Sequence, residues 1–219
     1  MFWNRNKNHP EFWNRYVESF STERTDFEEL RFVVFDTETS GLNPKEDGLL
    51  SIGAIGVTNK MIRIQDHYEA YIHPKKFKKE SVEIHGIRKS GRNKIDEEES
   101  IERFLRYIKN SVLVAHHAAF DVAMMNEALK RMGLPKLKNQ VIDTGNLFLK
   151  SDFKEPNKDH YTLDHLAKTF RIALQDRHNA AGDAYITAQI FVKLLLHLEK
   201  KNTLSLSYLK RPAKRIGLL

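Results

Sequence analysis

Cysteine is absent from the 219 residues of this sequence. Its absence excludes disulfide bonds and thiolate metal sites, so carboxylates and histidines are the side chains left to hold a metal ion. Such ligands suit magnesium or manganese. A chain without cysteine is also compatible with the reducing conditions of a cytoplasm.

Long apolar runs are missing too. No stretch approaches the roughly 18 apolar residues of a membrane-spanning helix, and the opening MFWNRNKNHPEFWNRY lacks the apolar centre of a secretory signal. The sequence therefore predicts a soluble, cytoplasmic protein that makes no membrane contact. Its 41% hydrophobic content suffices for one substantial core but hardly for two catalytic domains.

The charge balance is basic, with a formal net charge of +7. Lysine and arginine concentrate in Lys75–Lys79, in Ile87–Lys94 and in the tail after Lys200, which contains no acid. A basic surface attracts phosphates, so the charge favours a polyanionic partner such as a nucleic acid. Each single cluster can equally be ordinary solvated surface.

The order of apolar patterns predicts a three-layer α/β domain. RFVVFDTET, LLSIGAIGVTNK and MIRIQDHYEAYIHP indicate three antiparallel strands, and SVLVAHH and QVIDT indicate two more that alternate with helices. Apolar residues at helical spacing predict helices in EESIERFLRYIK, Asp121–Arg131, TLDHLAKTF and Ala180–Leu198. We expect a mixed five-stranded sheet with helices on both faces.

Two terminal segments flank this predicted domain of residues 30–200. Residues 1–29 contain the related phrases FWNRN and FWNRY, which predict an amphipathic helix that packs on the domain or on a partner. Residues 201–219 form a basic tail, in which Leu204, Leu206 and Leu209 are candidate anchors for a polymerase or another protein partner.

Two carboxylates come together at the end of the most hydrophobic strand. Asp36 and Glu38 are two residues apart, and the alternation of a strand places both side chains on one face. Like charges about 4 Å apart repel by roughly 4 kcal/mol at an effective dielectric near 20, so a bound cation would stabilise the pair. An isolated Asp-x-Glu more often has one acid in solvent.

Two further acids stand near predicted helix starts. Asp121 follows the strand SVLVA, and Asp183 lies five residues after His178. Each alone is explained by the preference of acids for helix starts. The order of the elements nevertheless brings them toward Asp36 and Glu38, and four converging carboxylates favour divalent metal binding.

The motifs FDTETSGL, AHHAAFD and HNAAGDA resemble, in order and spacing, the three exonuclease motifs of the DEDDh superfamily. That family includes the proofreading epsilon subunit of DNA polymerase III, ribonuclease T and oligoribonuclease. The resemblance covers about residues 31–197 and implies a ribonuclease H-like exonuclease fold. It implies a metal-dependent 3′→5′ exonuclease that acts on single-stranded or frayed DNA 3′ ends and releases nucleoside 5′-monophosphates in proofreading or repair.

The resemblance also implies roles for individual residues. Asp36, Glu38, Asp121 and Asp183 would hold two Mg²⁺ or Mn²⁺ ions, and His178 would be the general base. Because His178 and Asp183 cannot share one face of a continuous helix, we expect His178 in a mobile loop before the helix.

By the same resemblance, Thr39, Leu42 and Phe120 would bind the terminal nucleotide, although Leu42 and Phe120 can equally be core residues. The chain departs from the pattern of many members at His117, where they have asparagine; we interpret His116 and His117 as structural. Two alternatives stay open. One is a 3′→5′ exoribonuclease of the ribonuclease T or oligoribonuclease type, and the other is a non-catalytic module that binds a polymerase or nucleic acid.

Overall fold

The structure is a computed structural model that describes residues 9–21, 26–73, 82, 85–87 and 93–213. Its strands are β1 (Arg31–Thr39), β2 (Leu49–Thr58), β3 (Met61–Ile72), β4 (Lys94–Ile95), β5 (Val112–Ala115) and β6 (Val141–Asp143). Its helices are α1 (Glu11–Glu18), α2 (Glu97–Ile108), α3 (Ala118–Arg131), α4 (Thr144–Leu149), α5 (Leu163–Phe170), α6 (Ala180–Lys200) and α7 (Leu206–Lys210).

The strands form one mixed sheet in the order β4-β3-β2-β1-β5-β6. The antiparallel pairs β1–β2 and β2–β3 confirm the predicted meander, and β5 and β6 add to it in parallel. The predicted count of five strands is wrong, because the described part of the sheet has six. The additional strand, β4, pairs with Tyr71 and Ile72 of β3, and two residues are too short to show a strand period.

Both faces of the sheet are covered, as the three-layer prediction requires. Alternate residues of β1 enter opposite cores: Phe32 and Val34 pack with α4, α5 and α6, whereas Val33 and Phe35 pack with α1, α2 and α3. The near-continuous burial of β1 and β2 follows from this double coverage.

The terminal helices complete these cores. In α1, Trp13 and Tyr16 are buried against α2, and the Tyr16 hydroxyl donates to Asn139 Oδ1 at 2.6 Å. In the tail, Leu209 is completely buried in the core beside α6. The prediction that Leu209 anchors a partner protein is therefore wrong, because its side chain is buried in the core of the domain.

Helix boundaries differ from the predicted ones by a few residues. Helix α3 begins at Ala118, one turn before the predicted start at Asp121, because Asp143 Oδ2 accepts a hydrogen bond from the Ala118 N–H. Within the residues that the structure describes, none of the helices combines the length and apolar character needed to cross a membrane.

Candidate active site

Strand β1 brings the first two acids, Asp36 and Glu38, close together on one face. Asp36 and Glu38 lie on the face that carries Phe32 and Val34 nearer the start of the strand, and this face looks toward α6. Asp36, Glu38 and Asp183 each offer a carboxylate oxygen, and these three oxygens all lie within 4.8 Å of one another. We call these three residues the acidic cluster.

A glycine in the neighbouring strand allows α6 to reach the cluster. Gly53 pairs with Asp36 across the sheet, and a Cβ atom at this position would lie 2.2 Å from the Ala181 nitrogen. The start of α6 therefore packs directly on the backbone of β2. Asn179 caps the helix by accepting the Ala181 N–H, which fixes the first turn that carries Asp183.

Helix α3 brings the fourth acid beside the cluster. Asp121 lies in the first turn, and its Oδ1 accepts the Thr37 N–H at 3.0 Å and the Thr37 hydroxyl at 2.7 Å. These bonds hold the Asp121 carboxylate against β1 at Thr37, the residue between Asp36 and Glu38. Its charge acts on both of those acids.

The four carboxylates repel one another in a partly dry environment. Burial, followed by the charges of Asp121, Asp183 and Glu38, raises the pKa of Asp36 well above its usual range. Burial, followed by the charges of Asp183 and Asp121, raises the pKa of Glu38 to about 7. Burial also raises the pKa of Asp121. Without a cation these carboxyl groups therefore hold their protons more tightly than usual, and a bound cation would stabilise their charged forms.

The donor set fits a hard divalent cation. Among the described residues Asp183 Oδ1 is buried and has no hydrogen-bond partner, although a buried carboxylate oxygen normally has one. An unpaired oxygen beside two other carboxylates offers the coordination that Mg²⁺ or Mn²⁺ prefers. Asp36, Glu38 and Asp183 can hold such an ion, and the negative charge of the nearby Asp121 would add to its attraction.

His178 lies beside the cluster but its side chain is exposed. The residue precedes the N-cap Asn179 and adopts a left-handed conformation with φ of 59°. Its N–H donates to Asp183 Oδ2 at 3.3 Å. The predicted position in a segment before the helix is confirmed, whereas the mobility of that segment stays a prediction.

Arg177 is a site residue that the sequence motifs did not reveal. Its Nη1 donates to Asp183 Oδ2, and its Nε donates to Asp164 Oδ1 of α5 at 2.6 Å. The Arg177 charge lowers the pKa of Asp36 and Glu38 against the larger effects that raise them. A basic residue immediately before His178 was the available signal, but basic residues are common throughout this chain.

The three predicted nucleotide contacts have different environments. Leu42 is 85% exposed at the tip of the loop between β1 and β2, so it is not a core residue. Asp47 shapes that loop by accepting the Ser40 hydroxyl and the Asn43 N–H. The Thr39 hydroxyl donates to the Gly41 carbonyl at 2.7 Å. Phe120 is partly buried against the core that contains α3.

The histidine pair divides into one internal and one exposed residue. His116 contacts Thr144 Oγ1 at 3.0 Å and the Tyr161 carbonyl at 2.9 Å, and burial lowers its pKa to about 4. A neutral imidazole with a hydrogen-bond contact at each ring nitrogen supports the structural interpretation of His116. His117 is exposed and occupies the N-cap position of α3 in a left-handed conformation.

The basic clusters lie largely beyond the described structure. Lys75–Lys79 is outside the described residues, and only Ile87, Asn93 and Lys94 of the second cluster are inside. The described tail ends at Ala213. The predicted nucleic-acid contacts of these clusters stay predictions.

A family model described as exonuclease, RNase_T, matches residues 33–191. The DNA polymerase III PolC-type protein of Caldanaerobacter subterraneus subsp. tengcongensis is 37% identical over 183 residues, and that of Clostridium perfringens is 35% identical over 181 residues. These alignments cover 82% and 81% of this chain but only 12% and 11% of the relatives. The chain thus spans a small part of their length.

Solved exonucleases share the fold. E. coli exonuclease I in complex with a dT13 oligonucleotide has a TM-score of 0.68 at 17% identity, over 80% of this chain and 43% of that chain. Exonuclease X in complex with 5′ overhanging duplex DNA has a TM-score of 0.62 at 23% identity, over 83% of this chain and 97% of that chain.

Proposed function

Because the chain belongs to the exonuclease family, RNase_T, we propose that it is a metal-dependent 3′→5′ exonuclease that acts on single-stranded or frayed DNA ends. The observation that carries this proposal is the acidic cluster, in which three carboxylate oxygens from two distant segments lie within 4.8 Å. DNA is favoured over RNA because the relatives are named as DNA polymerases and the two structural neighbours hold DNA.

In this proposal, Asp36, Glu38, Asp121 and Asp183 hold two Mg²⁺ or Mn²⁺ ions. Such ions, when bound, lower the pKa of an attacking water and neutralise charge that develops on the scissile phosphate. The carboxylates contribute fixed positions: Thr37 fixes Asp121, and the cap of α6 fixes Asp183. This preorganisation avoids the cost of gathering four negative charges at the moment of reaction.

His178 is proposed as the general base. The residue is exposed and its backbone N–H contacts Asp183, and a neutral imidazole nitrogen can accept the proton of a water molecule near neutral pH. Leu42 and Thr39 are proposed to contact the terminal nucleotide from the loop that follows β1. The exposure of Leu42 supports this role, since an apolar side chain at a loop tip can pack on a nucleobase.

The proposal is tested with a single-stranded DNA labelled at its 5′ end. Wild-type protein with Mn²⁺ should shorten the DNA stepwise from its 3′ end and release nucleoside 5′-monophosphates. Asp183→Asn, which keeps the shape of the side chain but not its charge, should be at least about 100-fold slower. Asp152→Asn makes the same exchange at an exposed acid and is the matched control, with wild-type activity expected.

Three results would contradict the proposal: wild-type rates with Asp183→Asn, undiminished activity in excess chelator, or loss of label from the 5′ end first. A matched RNA strand separates the two substrates. Faster cleavage of the RNA would replace DNA with RNA in the proposal while leaving the site unchanged.

A further inference from the structure

Arg177 joins the acidic cluster to a second acid outside it. Its guanidinium donates through Nη1 to Asp183 and through Nε to Asp164, and only 20% of the Arg177 side chain is exposed. Asp183 is 8% exposed at its side chain, whereas Asp164 is 54% exposed. The Arg177 guanidinium therefore bridges the buried carboxylate of Asp183 and the solvated carboxylate of Asp164.

The bridge engages a carboxylate that the proposed metal site needs. Asp183 Oδ2 accepts from both Arg177 and the His178 N–H, while Oδ1 is buried and has no partner in the described part of the chain. A guanidinium and a divalent cation at the same carboxylate repel each other at short range. Binding of a metal ion at Asp183 must therefore compete with Arg177.

We infer that Arg177 is a built-in counter-ion of the acidic cluster, which a divalent cation displaces from Asp183 and which Asp164 then retains. The inference rests on the proposed function, since it assigns a partner residue to the same metal site. Asp164 suits the retaining role because its carboxylate already accepts Arg177 Nε and lies at the solvated end of the bridge.

Arg177 and the next residue, His178, lie in a closely packed segment. The segment that carries both is pressed on the start of α6: a Cβ atom at Gly182 would lie 2.3 Å from the Asp176 carbonyl oxygen. Asp176 and His178 both have positive φ, 53° and 59°. This packing holds the backbone of the segment against α6, so the exchange of partners is a movement of the Arg177 side chain.

The test is a calorimetric titration of the full chain with Mn²⁺ alone. Arg177→Gln removes the competing cation and should tighten Mn²⁺ binding about tenfold. Arg177→Lys keeps the charge but cannot bridge both carboxylates with one ammonium group, so its affinity should lie between those of Arg177→Gln and wild type. Arg171→Gln removes the same charge from an exposed position of the same segment and should leave the affinity unchanged.

A second readout separates competition from simple damage to the fold. In EDTA, Arg177→Gln should melt at a lower temperature than wild type, because the cluster has lost its counter-ion, and Arg171→Gln should not. A merely structural role for Arg177 would lower both the melting temperature and the affinity for Mn²⁺. Equal or weaker Mn²⁺ binding by Arg177→Gln therefore overturns the inference.

The failure of this inference differs from failure of the proposed function. If wild-type protein binds Mn²⁺ and digests DNA but Arg177→Gln binds Mn²⁺ no more tightly, only the role of Arg177 is wrong. If wild-type protein neither binds Mn²⁺ nor digests DNA, the metal site itself is wrong.

Discussion

Glu38→Gln should make the protein more stable in EDTA while it abolishes nuclease activity. Burial and the neighbouring carboxylates raise the pKa of Glu38 from an ordinary 4.5 to about 7. At roughly 1.4 kcal/mol per pKa unit, the charged side chain costs the folded protein about 3 kcal/mol at pH 8. Glutamine keeps the shape and removes this cost. The melting temperature should therefore rise by about 6–12 °C.

The pH dependence fixes the sign of this effect. Between pH 4.5 and about 7 the folded protein binds more protons at Glu38 than the unfolded chain does, so wild-type stability falls as the pH rises. The advantage of Glu38→Gln should be absent below pH 4.5, grow through that interval and be complete above pH 7. Mn²⁺ should reverse the order, because only the wild type has the complete ligand set.

Differential scanning calorimetry at pH 4.5 and pH 8, with EDTA and with Mn²⁺, measures these differences. Glu46→Gln, at an exposed glutamate in the loop before β2, is the matched control and should leave the melting temperature unchanged. The reasoning is refuted if Glu38→Gln is as stable as wild type or less stable at pH 8 in EDTA. That result would mean that burial and the neighbouring carboxylates do not destabilise the Glu38 charge in the folded protein.

Three further substitutions test how the fold positions the site. Gly53→Ala should lower the free energy of unfolding by about 1–3 kcal/mol and the rate of DNA cleavage at least about tenfold, because its Cβ would meet the backbone of α6. The control Gly48→Ala, whose Cβ would have its nearest contact at 3.9 Å, should change neither quantity. Leu209→Ala should lower the free energy of unfolding in urea by about 2–5 kcal/mol, and a near-zero change would contradict the burial of α7. Tyr16→Phe should cost about 1–3 kcal/mol, because the Lys138 N–H and Asn139 lose their partner; unchanged stability would show that water replaces the hydroxyl.

The sequence was sufficient to predict the three-layer fold and where the acids converge. Strand alternation places Asp36 and Glu38 on one face, and this holds wherever the strand is placed in the sheet. Asp183 could be assigned to the same place because it follows His178 in a recognisable motif. The family match over residues 33–191 confirms the resemblance on which the exonuclease prediction rested.

Other features depend on three-dimensional packing that no local pattern contains. Arg177 bridges Asp164 and Asp183, which lie on different helices, so neither spacing nor periodicity indicates this bridge. The two-residue strand β4 depends on its pairing with β3. The leucines of the tail have the same composition whether they contact a partner or their own core, and only the structure assigns Leu209 to the core.

Asp143 shows how a residue without a chemical role can govern the site. Its two oxygens accept N–H groups in the first turns of two helices, from Ala118 of α3 and Asn146 of α4. One side chain at the end of β6 therefore sets the starting points of both. Since Asp121 lies in the first turn of α3, loss of the Asp143 cap would disturb the turn that carries this proposed metal ligand. Inherited or engineered variation at this position would therefore alter catalysis through the placement of Asp121.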